Sequence, residues 1–384
     1  MRASGTPTYD ETGSVASLPA MVVPGLDAVR DQAEGLIARS IPLLPGPLTR
    51  TLAGAPVRID GQQLHPQVQL ALRLERLAGG SELLGVAEAR VRRRREARIF
   101  AGPRIEVERV EELELPGPTA PIPTRLYVPV EISRPAPLVV YYHGGGHVIG
   151  DLDTHDQPCR FFAREAGALV LAVDYRLAPE HRFPAAVDDA FAAFVTAHSE
   201  AGRLGADPER VAVAGDSAGG NLAAAVCRLA VAAGGAVPIF QALIYPVTDY
   251  SAKRRSYELF GEGFFLTGEE MDWYRDHYFA TTEDRTDPRA SPILAPDLTH
   301  LPPAHVVSAG FDPLRDEAEE YAERLRAAGV PTTLRRESDL VHGFINAVGL
   351  GGRAREATHP IATALRNAVA GQRPNAGARG PSAR

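Results

Sequence analysis

At 384 residues, 45% hydrophobic and 23% charged, the chain has ordinary globular composition and can bury one large α/β core with additions. Its 41 basic and 48 acidic residues give a formal charge of −7, so a nucleic-acid partner has no bulk electrostatic support. No apolar run approaches the ~20 residues needed to span a bilayer, which argues against stable membrane insertion.

The opening residues, Met1-Arg2-Ala3-Ser4-Gly5-Thr6-Pro7, lead into polar sequence rather than the apolar core of a signal peptide, so the reading is soluble and cytoplasmic. Residues 1–60 are rich in proline, glycine and small side chains. They are expected to form a partly disordered extension with one short helix over 26–41. Over 66–97 the apolar positions Val68, Leu70, Leu72, Leu74 and Leu77 fit a helix loosely, with a break at Gly79-Gly80. The run Arg92-Arg93-Arg94-Arg95 reads as a solvated helix face, because Glu106, Glu108, Glu111, Glu112 and Glu114 follow just downstream.

Beyond residue 104 the texture changes. Residues 105–115 and 122–128 alternate like the strands of a hairpin. Short apolar runs at 138–142, 169–173, 211–214, 240–245 and 305–308 read as buried parallel strands, with helical stretches at 184–198, 218–232 and 316–328 between them. Strands and helices in this alternation imply a mostly parallel sheet with helices on both faces. Residues 251–292 interrupt the pattern and carry Phe260, Phe264, Phe265, Trp273, Tyr274, Tyr278 and Phe279, as expected of an insertion that packs over the sheet edge as part of a lid.

Gly215-Asp216-Ser217-Ala218-Gly219 closes a predicted strand and opens a helix, the context of a nucleophile elbow. A sharp strand-to-helix turn strains the backbone at the serine and requires small neighbours, here Gly215, Ala218 and Gly219. His143-Gly144-Gly145-Gly146 follows the strand that ends at Tyr142. Three glycines let backbone N–H groups turn toward a substrate oxygen, so the loop reads as an oxyanion hole together with the Ala218 N–H. His143 and His147 have the spacing of helical zinc ligands, but three intervening glycines make a helix untenable, and no metal is expected. A nucleophile of this kind is followed in the chain by an acid and then a histidine. His342 and the group Asp312, Asp316 and Glu317 both follow predicted strands and lie at the same sheet edge as the elbow. Asp312, directly after its strand, is the preferred acid.

Composition closes other routes. Lys253 is the lone lysine, preceded by Ala252, so there is no phosphate-binding Gly-Lys-Ser/Thr loop, and Tyr250 stands where a Ser-x-x-Lys nucleophile would be. Cys159 and Cys227 cannot form a disulfide framework and read as reduced, packed thiols.

Together these motifs resemble the hormone-sensitive lipase family of α/β-hydrolase esterases. The likeness covers about residues 66–370 and includes Asp174-Tyr175-Arg176-Leu177-Ala178-Pro179-Glu180, Gly215 to Leu222, Asp287 to Pro292, Asp312 to Glu317 and His342-Gly343-Phe344. It implies an α/β-hydrolase fold with a mostly parallel eight-stranded sheet and a helical cap. It implies a Ser217, Asp312 and His342 triad, donors at Gly145, Gly146 and Ala218, loop support from His143 and Gly144, and no cofactor. The expected organisation is an extension over 1–60, a cap segment over 61–100, a catalytic domain over 101–370 with a cap insertion at 251–292, and a disordered tail over 371–384. His147, Phe264, Phe265 and Phe344 are expected at the substrate pocket. Three features depart from the family pattern: His147 where an aromatic residue is common, Ser338-Asp339-Leu340 where a glycine is common, and the first ~60 residues.

The expected activity is hydrolysis of short- to medium-chain carboxylic esters, small-molecule substrates, through an acyl-enzyme. Amide, aryl formamide or lactone hydrolysis would use the same groups. A ligand-binding protein on an inactivated hydrolase scaffold, as in the plant gibberellin receptors, would lack the histidine that His342 supplies. A homodimer is a further expectation from the family.

Overall fold

The computed structural model describes residues 26–77 and 83–370. The expectations of disorder in the first residues and in the 371–384 tail, and of a break at Gly79-Gly80, lie outside the described residues. Eight strands form one sheet: β1 (Arg109–Leu115), β2 (Ile122–Val128), β3 (Ala136–Tyr142), β4 (Leu169–Val173), β5 (Ala206–Asp216), β6 (Gln241–Ile244), β7 (Ala304–Phe311) and β8 (Thr332–Val341). Their spatial order is β8-β7-β6-β5-β3-β4-β2-β1. Six strands, β3 to β8, are joined by parallel pairings, while β2 runs antiparallel to both β1 and β4.

The period of two along each strand divides the core. On β3, Leu138, Val140 and Tyr142 face one apolar cluster with helices α6 (Ala185–Ser199), α7 (Ala218–Ala233) and α10 (Arg315–Ala327), while Val139 and Tyr141 face a second. That second cluster holds α5 (Asp156–Ala166) and α11 (Gly352–Ala370). Cys159 and Cys227 are buried free thiols in these separate clusters. Among the described residues, no helix is long and apolar enough to cross a membrane.

Helices α1 (Leu26–Ser40), α2 (Gly46–Ala53), α3 (Pro66–Leu77) and α4 (Val86–Phe100) precede the sheet. The 251–292 insertion forms α8 (Arg255–Phe260) and α9 (Gly268–Tyr278), the latter opened by a Thr267/Glu270 capping box. The arginine run on α4 is tied down rather than merely solvated. Arg94 meets Asp151 at 2.5 Å, Arg95 meets Asp31 and Glu34 on α1, and Arg92 reaches Glu270 on α9 at 3.5 Å.

One expectation is corrected. The extension holds more than one helix: α2 and a short hairpin (Arg58–Ile59 with Gln62–Gln63) dock on the body, with Gln62 Nε2 donating to the Gly310 carbonyl at 3.1 Å. Strand β8 runs on to Val341, with a pairing irregularity between Glu337 and Val341. The Ser338-Asp339-Leu340 stretch is therefore bulged strand, held by Arg353 on Asp339 (2.9 Å) and on Glu337.

Candidate active site

Ser217 sits between β5 and α7 with φ 55 and ψ −120, a backbone state that costs energy outside glycine. The turn is over-determined by its neighbours. A side chain at Gly219 would collide with the Tyr142 carbonyl, and one at Gly215 with the Gly219 backbone. Ser217 N–H donates to Ile244 O at 2.9 Å, while Asn221 Nδ2 donates to the carbonyls of Val247 (3.0 Å) and Ala290 (2.6 Å). The hydroxyl does not cap α7. Instead Ser217 Oγ lies 3.0 Å from His342 Nε2.

On its other side the imidazole meets a carboxylate. His342 Nδ1 lies 2.7 Å from Asp312 Oδ2, and Leu314 N–H donates to Asp312 Oδ1 at 2.8 Å. Asp312 is fully buried. A carboxylate that accepts from Nδ1–H leaves the Nε2 lone pair to face the serine. The Tyr245 ring, centred 4.5 Å from the imidazole, backs it from the side. The neighbouring acids have other partners. Asp316 accepts from Ser256 N–H at 2.9 Å, and buried Glu317 accepts from Thr248 N–H at 2.8 Å, where burial pushes its carboxyl well up.

Gly145 and Gly146 adopt φ 123 and φ 60 and close a tight turn, with Val148 and Ile149 N–H both donating to Gly145 O. A side chain at Gly145 would strike the Ile149 carbonyl, and one at Gly146 would strike the ring of Tyr274 on α9. Gly144 N–H donates to Asp216 Oδ1 at 3.0 Å. The N–H groups of Gly145, Gly146 and Ala218 have no acceptor among the described residues.

Asp216 is the residue that motif reading passed over as the variable position of Gly-x-Ser-x-Gly. Its carboxylate, nearly buried, accepts from Gly144 N–H and from Tyr141 Oη (2.6 Å), with His155 Nε2 at 3.4 Å. It therefore ties the elbow to the glycine loop. Burial acts to raise its pKa, but the His155 imidazole, the Tyr141 hydroxyl and the charge of Arg93 outweigh burial and hold it at about 2. Its folded value lies below the ordinary 3.8, so the carboxylate stabilises the fold in full above about pH 4 and loses that contribution as pH falls through about 2. The gap corresponds to roughly 2–3 kcal/mol. Asp216→Asn is expected to flatten the stability profile between those pH values, read as urea midpoints, and a variant curve parallel to wild type would refute this.

His143 stacks on Tyr175 (4.3 Å), which also donates its hydroxyl to the His143 carbonyl at 2.6 Å. Burial pushes its imidazole down to about 4 and that of His147 to about 3, so both are neutral near pH 7. Among the described residues, no group of three or more His, Cys, Asp or Glu side chains is placed to hold a metal ion.

The chain is similar to known proteins over most of its length. A family described as the alpha/beta hydrolase fold matches residues 139–346. The chain is 48% identical over 336 residues to the carboxylic ester hydrolase LipN of Mycobacterium tuberculosis, covering 85% of this chain and 89% of that protein. The chain belongs to the hormone-sensitive lipase family of α/β-hydrolase carboxylesterases. An esterase structure from Pyrobaculum calidifontis superposes with a TM-score of 0.74 at 40% identity, covering 79% of this chain and 98% of that one. An ethyl acetate hydrolase of Pseudomonas putida is 38% identical over 72% of this chain and 89% of its own length. This serine carboxylesterase thus has the expected fold, with a mostly parallel eight-stranded sheet flanked by helices.

The residues expected at the esterase's substrate pocket have the following surroundings. His147 is fully buried behind the glycine loop, stacked at 4.0 Å on Tyr278, and its carbonyl accepts from Ala178 N–H. Phe344 packs edge-on against Tyr245 in the core cluster shared with α11. Phe264 and Phe265 join Phe260, Phe311, Leu64 and Leu72 in a cluster beside the acid loop, because α8 and α3 close on one another there. From the 251–292 insertion, Tyr274 stands against the glycine loop at Gly146. Nothing in its sequence context distinguished it from the other aromatics of the insertion.

Proposed function

We propose that Ser217 is the nucleophile, His342 the general base and acid, and Asp312 the group that orients and charge-stabilises the imidazole. The supporting observation is the continuous path from Ser217 Oγ through His342 to a buried Asp312, at 3.0 and 2.7 Å. In the first step His342 Nε2 takes the hydroxyl proton as Oγ attacks the ester carbonyl, and the imidazolium then protonates the departing alkoxide. A water repeats the sequence on the acyl-enzyme and regenerates the serine. Gly145, Gly146 and Ala218 N–H groups hold the oxyanion in both steps, each such donor being worth about 3–4 kcal/mol. His342 must be neutral to accept the proton, so kcat/KM is expected to fall on the acid side.

The substrates we assign are soluble esters with short- to medium-chain acyl groups. Tyr274 over Gly146 supports this by limiting the space beside the carbonyl site, and the ethyl acetate hydrolase among the relatives accords with it. The test is turnover of nitrophenyl esters from acetate to palmitate beside the matching anilides, with a pre-steady-state burst recording the acyl-enzyme. Faster cleavage of the anilides would make the protein an amidase, and a palmitate optimum would overturn the size assignment. Tyr274→Ala is expected to move the optimum up by two or more carbons. Each newly accommodated methylene contributes about 0.8 kcal/mol, or roughly fourfold in kcat/KM. An unchanged chain-length profile would remove Tyr274 from the acyl site.

A further inference from the structure

Of the large hydrophobic side chains exposed among the described residues, all but Val130, Val195 and Leu294 lie between residues 36 and 91. Leu43 and Leu77 are 81% and 77% exposed. Leu48 and Leu52 are also exposed and are one turn apart on α2, so they share a face. Arg73 on α3 donates to the Leu52 carbonyl at 3.0 Å, and Leu77 lies one turn beyond Arg73. Leu48, Leu52 and Leu77 are therefore neighbours where α2 meets the end of α3, with Leu43 on the turn just before α2, so the apolar exposures are clustered and not single.

The charge of the segment that carries α2 is one-sided. Residues 35–59 contain Arg39, Arg50 and Arg58 and no aspartate or glutamate, in a chain whose formal charge is −7. Beneath the patch a cavity of about 350 Å³ is lined by Ala53, Val57, Leu64, Leu72, Arg76 and Phe264. Arg76 crosses to the cap insertion, donating to Gly263 O at 3.0 Å, and Phe264 packs on Phe311, whose neighbour is Asp312. The patch therefore lies on the cap side of the molecule, joined to the loop that carries the acid.

We propose that this face docks the esterase reversibly on an anionic phospholipid surface, with Leu43, Leu48, Leu52 and Leu77 at the acyl boundary and Arg39, Arg50 and Arg73 on the lipid phosphates. Exposed apolar side chains bounded by arginine on a short helix suit the interface plane rather than a membrane span, and α2 has only 8 residues. A second copy of the chain is the weaker occupant, since a twofold contact through this face would oppose its own arginines. The docking does not rest on the esterase mechanism proposed above.

The full chain should be sedimented with vesicles of phosphatidylcholine alone and with about 30 mol% phosphatidylglycerol, at low and high salt. Binding to the anionic vesicles is expected to exceed that to the neutral ones by about tenfold and to weaken with salt. The pairs Leu43→Asp with Leu48→Asp, and Arg39→Glu with Arg50→Glu, should each reduce it about tenfold. Their circular dichroism and their hydrolysis of nitrophenyl acetate should match wild type, which separates docking from catalysis. Absent binding, or binding that both pairs leave intact, overturns the proposal. A concentration-dependent dimer that the same substitutions dissolve, without vesicle binding, would assign the face to a second copy and overturn it equally.

Discussion

Ser217→Ala is expected to lower kcat on nitrophenyl butyrate by about 10⁴-fold or more while leaving the fold unchanged. The substitution removes only Oγ, which stands 3.0 Å from His342 Nε2 and takes no part in capping α7. The strained backbone at φ 55 is imposed by Gly215, Gly219 and the strand beneath them, so alanine inherits it without new cost. What remains is the glycine loop and the site around it, which polarise an ester but offer no covalent route. Circular dichroism and the melting temperature should stay close to wild type. A residual rate above about one percent of wild type would mean that another group attacks the carbonyl.

Asp312→Asn should cost nearly as much, about 10⁴-fold in kcat, for a different reason. The Leu314 N–H claims one oxygen of the carboxylate at 2.8 Å, so an asparagine would keep its carbonyl there and turn its NH₂ toward the imidazole. Nδ1 would then have to accept, and the ring proton would move to Nε2, where it blocks transfer from the serine. The acid matters here as a selector of tautomer as well as a counter-charge. Substrate binding does not use Asp312, so KM should change little. A loss below about tenfold would show that the imidazole keeps its tautomer without the carboxylate, and that the acid has been misassigned.

Much of this could be read along the chain because it is local. The unbroken apolar run Leu138-Val139-Val140-Tyr141-Tyr142 announced a strand buried on both faces, and β3 is that strand. The glycines around Ser217 and after His143 were legible because only small residues tolerate such close backbone approach. The short elements of the extension were not legible. Helix α2 and the 58–63 hairpin have weak patterns of their own and form because the body offers them partners, such as Gly310 O for Gln62. Of three acids within six residues, the sequence preferred Asp312 for its place directly after a strand but did not show what the other two meet. Only the turn at the end of β7 decides that Asp312 faces the imidazole while Asp316 and Glu317 face α8 and the Thr248 backbone.

The sequence by itself determined the reaction class and the sheet that supports it, since a serine among small residues, a run of glycines and short apolar strand runs are written in neighbouring residues. Tertiary structure decided what lies around the reacting atoms. It placed His147 and Phe344 in the interior, set Tyr274 over Gly146, and turned Asp216 into the tie between elbow and loop. These are contacts between residues 72 or more positions apart, such as Gly144 with Asp216, and no local spacing encodes them. They arise when the sheet brings β3 beside β5 and the cap closes over their ends.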